Sequence, residues 1–325
     1  MRNKSILFTV IATVISALLF TGCDKEEDPN NELVQLLEDQ VVEIESYLEI
    51  NNITAEEVNG YYVEMLAENA DGEAPEPNDI VGIYYEITTL DGQLVEKLEE
   101  GSSSAAIFPF MRDRVLLPIA LYDLVANMNE GEEVRAFLPF DVAYRGFSLV
   151  DRLPAYSAVI IKLKLAEVMS EAELKVRVNT EIKQYLTEEG LLPADSLESG
   201  VYYSTTEEGT AEKVGANSVV SLRYSGKLLS GKEFDNNTDA GDQAYDVNMS
   251  KNEVIAGFKN AVANMSLNEK GVALLPFDQA YGSGYYAVPY KLMEELAYQR
   301  YVPSTFIDIP PYATLRFDLE VEEIN

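Results

Sequence analysis

LPFDVAYRG begins at Leu138, and LPFDQAYGSG begins at Leu275. The two stretches are not an isolated coincidence. Reading outward from them, LVANM at Leu124 matches AVANM at Ala261, and IYYEITTLDGQLVE at Ile83 matches LRYSGKLLSGKEFD at Leu222. Further out, GYYVE at Gly60 matches GVYYS at Gly200, and EIESYL at Glu43 matches EIKQYL at Glu181. The blocks keep their order at a spacing near 138 residues, so the chain is a tandem duplication of one unit.

Each unit opens on an amphipathic helix. In the first, Leu33, Leu36, Leu37, Val41, Ile44 and Leu48 recur at helical spacing. In the second, Ser170 and Glu173 form a capping-box pattern ahead of Leu174, Val178, Ile182 and Tyr185. Short runs rich in Val, Tyr, Leu and Phe follow, at Val201–Thr205, Val219–Tyr224, Lys227–Phe234, Gly271–Pro276 and Ala313–Val321, and they read as strands. A short helix over Asn252–Met265 interrupts them. The expected fold class is α+β, two tandem units that each wrap an antiparallel sheet on a short helix. Their bounds are 33–168 and 169–325, with the break near Val168-Met169, where a strand-like run gives way to the capped helix.

Composition narrows the function. Among 325 residues there are 56 acidic and 24 basic ones, no histidine and one cysteine, for a net charge of −32. Such acidity repels phosphate backbones and argues against a nucleic-acid partner. The single cysteine, Cys23, cannot form a disulfide within the chain. Arg2 and Lys4 precede an uncharged, mostly apolar run from Ile6 to Phe20, too short to span a bilayer and followed by Thr21-Gly22-Cys23. FTGC resembles a bacterial lipoprotein processing box, although Phe20 departs from the usual Leu. That resemblance implies removal of residues 1–22, a lipid on Cys23, an acidic tether over 23–32, and a bacterial cell-envelope location on the outer membrane, facing the periplasm or the exterior. An ordinary secretory peptide with a free thiol is the alternative. The tether sequence DKEEDPNN also resembles a surface-export signal, though a plain linker would look the same.

The second unit resembles the FKBP-type peptidyl-prolyl cis-trans isomerases. The blocks that carry the likeness are YSGKLLSGKEFDN at Tyr224, NEVIAGFKNAVANM at Asn252, FDQAYGSG at Phe277 and IPPYATLRFDLEV at Ile309. The resemblance implies a half-barrel sheet around a short helix with a proline pocket between them. Tyr224, Phe234, Tyr245 and Phe317 would be its walls. Phe258 would be its floor, where many members have Trp. Asp235 would be the acid at its edge, with Val254 and Ile309 completing the rim. Glu253 would offer its backbone carbonyl and Ile255 its backbone N–H to the substrate, and Tyr281 a hydroxyl toward a substrate carbonyl. Without the ordered blocks, the same aromatics would read as ordinary core. Rotation about a prolyl bond exchanges no covalent bond, so no metal, cofactor or histidine is called for. The implied partners are proline-containing polypeptides.

The likeness weakens in two places. In the first unit Tyr85, Tyr144 and Leu153 keep their positions, but Val95-Glu96 stands for Phe-Asp, Leu121 for the floor and Ile161 for Phe317. Arg145 breaks the AYG motif. A unit with so little aromatic area is expected to be weak or inactive as an isomerase and to serve dimerisation, spacing or client binding. In the second unit a stretch at about 285–305, with Tyr290, Leu292 and Leu296 at near-helical spacing, exceeds the family's usual flap. Some members use a larger insert in a similar place to hold unfolded chains. Here the insert either contacts clients or packs as a flap that closes the pocket or meets the other unit. Two functions follow: an envelope isomerase working through its second unit, or a non-catalytic chaperone, assembly or binding module. A structural spacer protein is a third, weaker reading.

Overall fold

In a computed structural model, the structure describes residues 29–191, 196–239, 241 and 243–325. Cys23 and the expected signal segment lie outside these residues, as does most of the tether.

The first unit begins with α1 (Pro29–Ile50), followed by β1 (Glu56–Val58), β2 (Tyr61–Ala67), β3 (Ile80–Thr89), β4 (Leu94–Leu98) and β5 (Ala106–Pro109). Then come β6 (Val115–Leu117), α2 (Leu121–Ala126), β7 (Glu133–Leu138) and β8 (Val159–Met169). In the second unit α3 (Glu171–Glu188) leads into β9 (Tyr202–Glu207), β10 (Val219–Leu228), β11 (Glu233–Asn236) and β12 (Tyr245–Asn248). α4 (Ala256–Ala263), β13 (Lys270–Leu275), β14 (Tyr286–Ala287), α5 (Leu292–Tyr298) and β15 (Leu315–Ile324) complete it.

The two sheets repeat one topology. The first is ordered β1-β2-β7-β8-β3-β4 with β5 also on β3, and the second β11-β10-β15-β13-β9 with β12 also on β10. All pairings within them are antiparallel. Alternation puts Leu222, Tyr224, Phe317 and Leu319 on the face that packs against Phe258, Ala261 and Val262 of α4. The fold class is the α+β arrangement expected.

Local signals explain the element ends. Ser170 caps α3 through a reciprocal capping box with Glu173. Leu174, Val178 and Ile182 are buried on α3 as expected, with Leu186 as the fourth member of the stripe. Tyr185 is only partly buried, and its hydroxyl accepts a hydrogen bond from Arg316 at 2.8 Å. Only the C-terminal half of α1 is firmly docked, through Ile44, Leu48 and the buried amide of Gln40. Gln40 donates to Tyr156 O and accepts from Phe140 N, at 2.8 and 2.9 Å. The expected strand Lys227–Phe234 is instead a hairpin, because Gly231 at φ 88° turns the chain between β10 and β11. The expected helix Asn252–Met265 shortens to α4, since Ile255 is already extended at its N-cap.

The insert takes one of the courses its sequence left open. Its helix exists as α5, and it meets the other unit, packing into the first unit's core instead of closing the second unit's pocket. Tyr286, Ala287, Val288, Leu292, Met293, Leu296 and Val302 are each at most 5% exposed, and all belong to the apolar core that also holds Tyr85, Leu121, Tyr144 and Ile161. β14 pairs with β6 as a two-stranded parallel ladder, and Tyr286 N and Val288 N donate to Arg114 O and Leu117 O, both at 2.8 Å. Cis peptide bonds precede Pro118 and Pro289. Sequence periodicity marks the helix but carries no signal of which unit its apolar face covers.

Because Leu292 belongs to the first unit's core, Leu292→Ala is expected to destabilise that unit by about 2–5 kcal/mol. In hydrogen exchange the loss should fall on β3 and β8 more than on β10 and β15. Equal loss in both sheets would contradict the packing described.

Candidate functional site

A cleft of about 410 Å³ opens in the second unit between the sheet and α4, within the size range of small-ligand sites. It is lined by Tyr224, Phe234, Asp235, Tyr245, Asn252, Glu253, Val254, Ile255, Phe258, Tyr281 and Phe317. Ten of the eleven residues expected from the sequence are therefore brought together. The eleventh, Ile309, is 4% exposed and belongs to the second unit's core, off the cleft lining. Its carbonyl accepts the Tyr290 hydroxyl at 2.9 Å, which fixes the chain at the base of the insert instead of forming the rim. Among the described residues, none of 285–305 lines the cleft.

The rings form an edge-to-face box. Phe258 and Phe317 meet at 5.0 Å between centroids and 81°, Phe234 and Phe317 at 5.7 Å and 85°, and Tyr224 and Phe258 at 5.7 Å and 82°. Phe258 and Phe317 are each 4% exposed, whereas Tyr245 and Tyr281 stand 40% and 37% exposed at the mouth. The floor is thus dry and apolar and the rim carries hydroxyls. Tyr224 Oη donates to Asp235 Oδ2 at 2.8 Å. Burial, then this carboxylate, pushes the Tyr224 hydroxyl well above the ordinary tyrosine range, and burial raises Tyr281 likewise. Both phenols remain protonated donors at neutral pH.

Two positioning residues escaped the sequence reading. Gly226 sits opposite Phe317 in the β10–β15 ladder. A Cβ there would lie 2.8 Å from the Phe234 ring and 2.9 Å from the Phe317 ring, so the rings need a residue without a side chain between them. Asn237 accepts from Tyr224 N at 2.7 Å and donates to Leu222 O at 3.0 Å, fixing the strand from which Tyr224 projects. The alignment of the two halves holds the signal for Gly226, since it matches Ile87.

That match explains the first unit. Ile87 lies opposite Ile161 across β3 and β8 and is fully buried, filling the space that the two phenyl rings share in the second unit. The tyrosine–acid pair survives, since Tyr85 Oη donates to Glu96 as Tyr224 does to Asp235. Pro118 occupies the position of Ile255 and has no N–H to offer a ligand. Tyr144, the counterpart of Tyr281, is 1% exposed, and its hydroxyl donates to Val288 O at 2.7 Å.

Comparison with known proteins agrees with this geometry. The model of a family described as FKBP-type peptidyl-prolyl cis-trans isomerase matches residues 210–322, inside the second unit. The FKBP-type 22 kDa peptidyl-prolyl cis-trans isomerase of Escherichia coli is 25% identical over 209 residues, 64% of this chain and 84% of its own. FKBP-type peptidyl-prolyl cis-trans isomerase FkpA of Aeromonas hydrophila is 36% identical over 87 residues, 27% of this chain and 31% of its own, so the chain spans under a third of that relative. The crystal structure of FkpA from Escherichia coli aligns over 47% of this chain and 60% of its own at 25% identity, with a TM-score of 0.35. FK506-binding protein 1 of Kluyveromyces lactis is 32% identical over 107 residues, covering 33% of this chain and 76% of its own. With most of that relative matched, and with the aromatic cleft assembled from the matched blocks, the chain belongs to the FKBP-type peptidyl-prolyl cis-trans isomerase family.

Proposed function

We propose that this chain is a peptidyl-prolyl cis-trans isomerase that acts through the cleft of its second unit, and that it assists the folding of exported polypeptides while lipid-anchored at the bacterial envelope through Cys23. The observation that carries the catalytic reading is the open aromatic box of Tyr224, Phe234, Phe258 and Phe317 with Tyr281 at its mouth.

The chemistry asks for little else. Amide resonance sets a barrier of ~18–20 kcal/mol, and X-Pro bonds cross it slowly while lying near cis/trans balance. As the bond twists, conjugation is lost and the carbonyl becomes less polar. A cavity floored by Phe258 and Phe317 disfavours the polar planar amide more than the twisted form, and that difference accelerates rotation. Each ~1.4 kcal/mol of such difference is tenfold in rate. The Tyr281 hydroxyl, and the backbone of Glu253 and Ile255, would hold the substrate chain. The first unit supplies a parallel within the molecule: Tyr144 holds the carbonyl of Val288, the residue that precedes Pro289.

In a proline-limited refolding assay, Phe234→Ala is expected to lower the isomerase rate at least tenfold, which is ~1.4 kcal/mol of transition-state stabilisation. Tyr281→Phe is expected to lower it about fivefold, in line with one hydrogen bond. Undiminished rates in both variants would place catalysis elsewhere, and retained holdase activity without isomerisation in the natural chain would favour the non-catalytic reading.

The anchoring reading has its own test. Cys23→Ser is expected to abolish incorporation of labelled fatty acid and to shift the protein from the membrane to the soluble fraction of its native host. Unchanged labelling and fractionation would overturn it.

A further inference from the structure

The first unit's cleft is not vacant space left by degeneration. Three of its wall and floor positions are aliphatic where the second unit has rings: Val95 for Phe234, Leu121 for Phe258 and Ile161 for Phe317. The segment that shares their apolar cluster comes from the other unit. Tyr286 stacks on Phe108 at 4.5 Å and 7°, and Val288 is 2% exposed in the same cluster.

The manner of entry is that of a peptide in a binding site. The segment arrives extended and pairs in parallel with Val115–Leu117, immediately before α2. In the second unit the matching stretch before α4 is Asn252–Val254, which lines the open cleft. Two backbone N–H groups of the segment donate to Arg114 O and Leu117 O, and its Val288 carbonyl accepts from the Tyr144 hydroxyl. Main-chain pairing of this kind gives affinity, and alternate side chains in pockets give register. Pro289 follows and is buried. Arg114 lies over the ring of the preceding Tyr285 at 4.5 Å.

We propose that the first unit's cleft is a peptide-binding site whose resident ligand is the chain's own extended segment Tyr286–Pro289. Its specificity is for an aromatic residue, a small residue and a β-branched residue followed by proline. The first unit acts as an internal clamp: it engages the insert of the second unit and so holds that insert off the second unit's open cleft. The proposal does not depend on catalysis by the second unit, and its test reads no enzymatic rate.

In hydrogen exchange on the intact chain, the amides of Tyr286 and Val288 should exchange at least a hundredfold more slowly than in an unstructured peptide. Tyr144→Phe should speed exchange of Val288 about fivefold while β10 and β15 keep their protection. In a second arm, residues 285–289 of the full chain are replaced by a Gly/Ser linker of equal length, which leaves Leu292, Met293 and Leu296 in the first unit's core, and a synthetic peptide of residues 284–291 is titrated in. The linker variant should bind it saturably with a Kd below about 1 mM, the natural chain should not, and Tyr144→Phe in the linker variant should weaken binding. If the linker variant does not fold, exchange on the intact chain decides alone. Unprotected Tyr286 and Val288 amides, or a folded linker variant that ignores the peptide, would overturn the proposal.

Discussion

The contact between the rings of Phe234 and Phe317 depends on the side chain that Gly226 lacks. The ring-bearing walls of the two clefts differ because of that position, where Ile87 stands in the first unit. In the second unit the strand lets two rings close over its backbone, and they stand as wall and back of an apolar box. In the first, Ile87 takes the volume, so large rings at positions 95 and 161 would have no room and aliphatic side chains stand there instead. One backbone plan thereby yields an open aromatic cleft and a closed aliphatic one.

The closed cleft has consequences beyond itself. The insert of the second unit buries Leu292, Met293 and Leu296 in the first unit's core, and each such side chain contributes about 1.5–3 kcal/mol relative to exposure. The two units are therefore joined by shared core as well as by the continuous chain at Met169 and Ser170. The same docking leaves the mouth of the second cleft to Tyr245 and Tyr281, with no insert residue among its lining. An element that could have been a lid over the site is engaged elsewhere.

Much of this was legible in the sequence, and for a physical reason. The repeat, the capping box of Ser170 and Glu173, and the placement of Tyr224, Phe234, Phe258 and Phe317 are local or block-wise features, carried by short runs whose spacing survives duplication. Gly226 was readable as a difference between the halves, but its meaning needs the cross-strand register that sets it against Phe317. Ile309 misled because its block matches while its side chain turns into the core. The destination of the insert stayed open among clients, its own pocket and the other unit: Tyr144 and Val288 are 144 residues apart, and an apolar helical face announces burial without choosing its partner.

The proposed function requires that a substrate's prolyl residue seat in the second unit's box, while the first unit's cleft keeps Tyr286–Pro289 of the chain itself. It is tested most directly by NMR titration of the full chain with a short peptide containing a single X-Pro bond. The account expects the ring resonances of Tyr224, Phe234, Phe258 and Tyr281 to shift together while those of Tyr85 and Tyr144 stay in place. Shifts centred on Tyr85 and Tyr144, or none at the aromatic box, would contradict it.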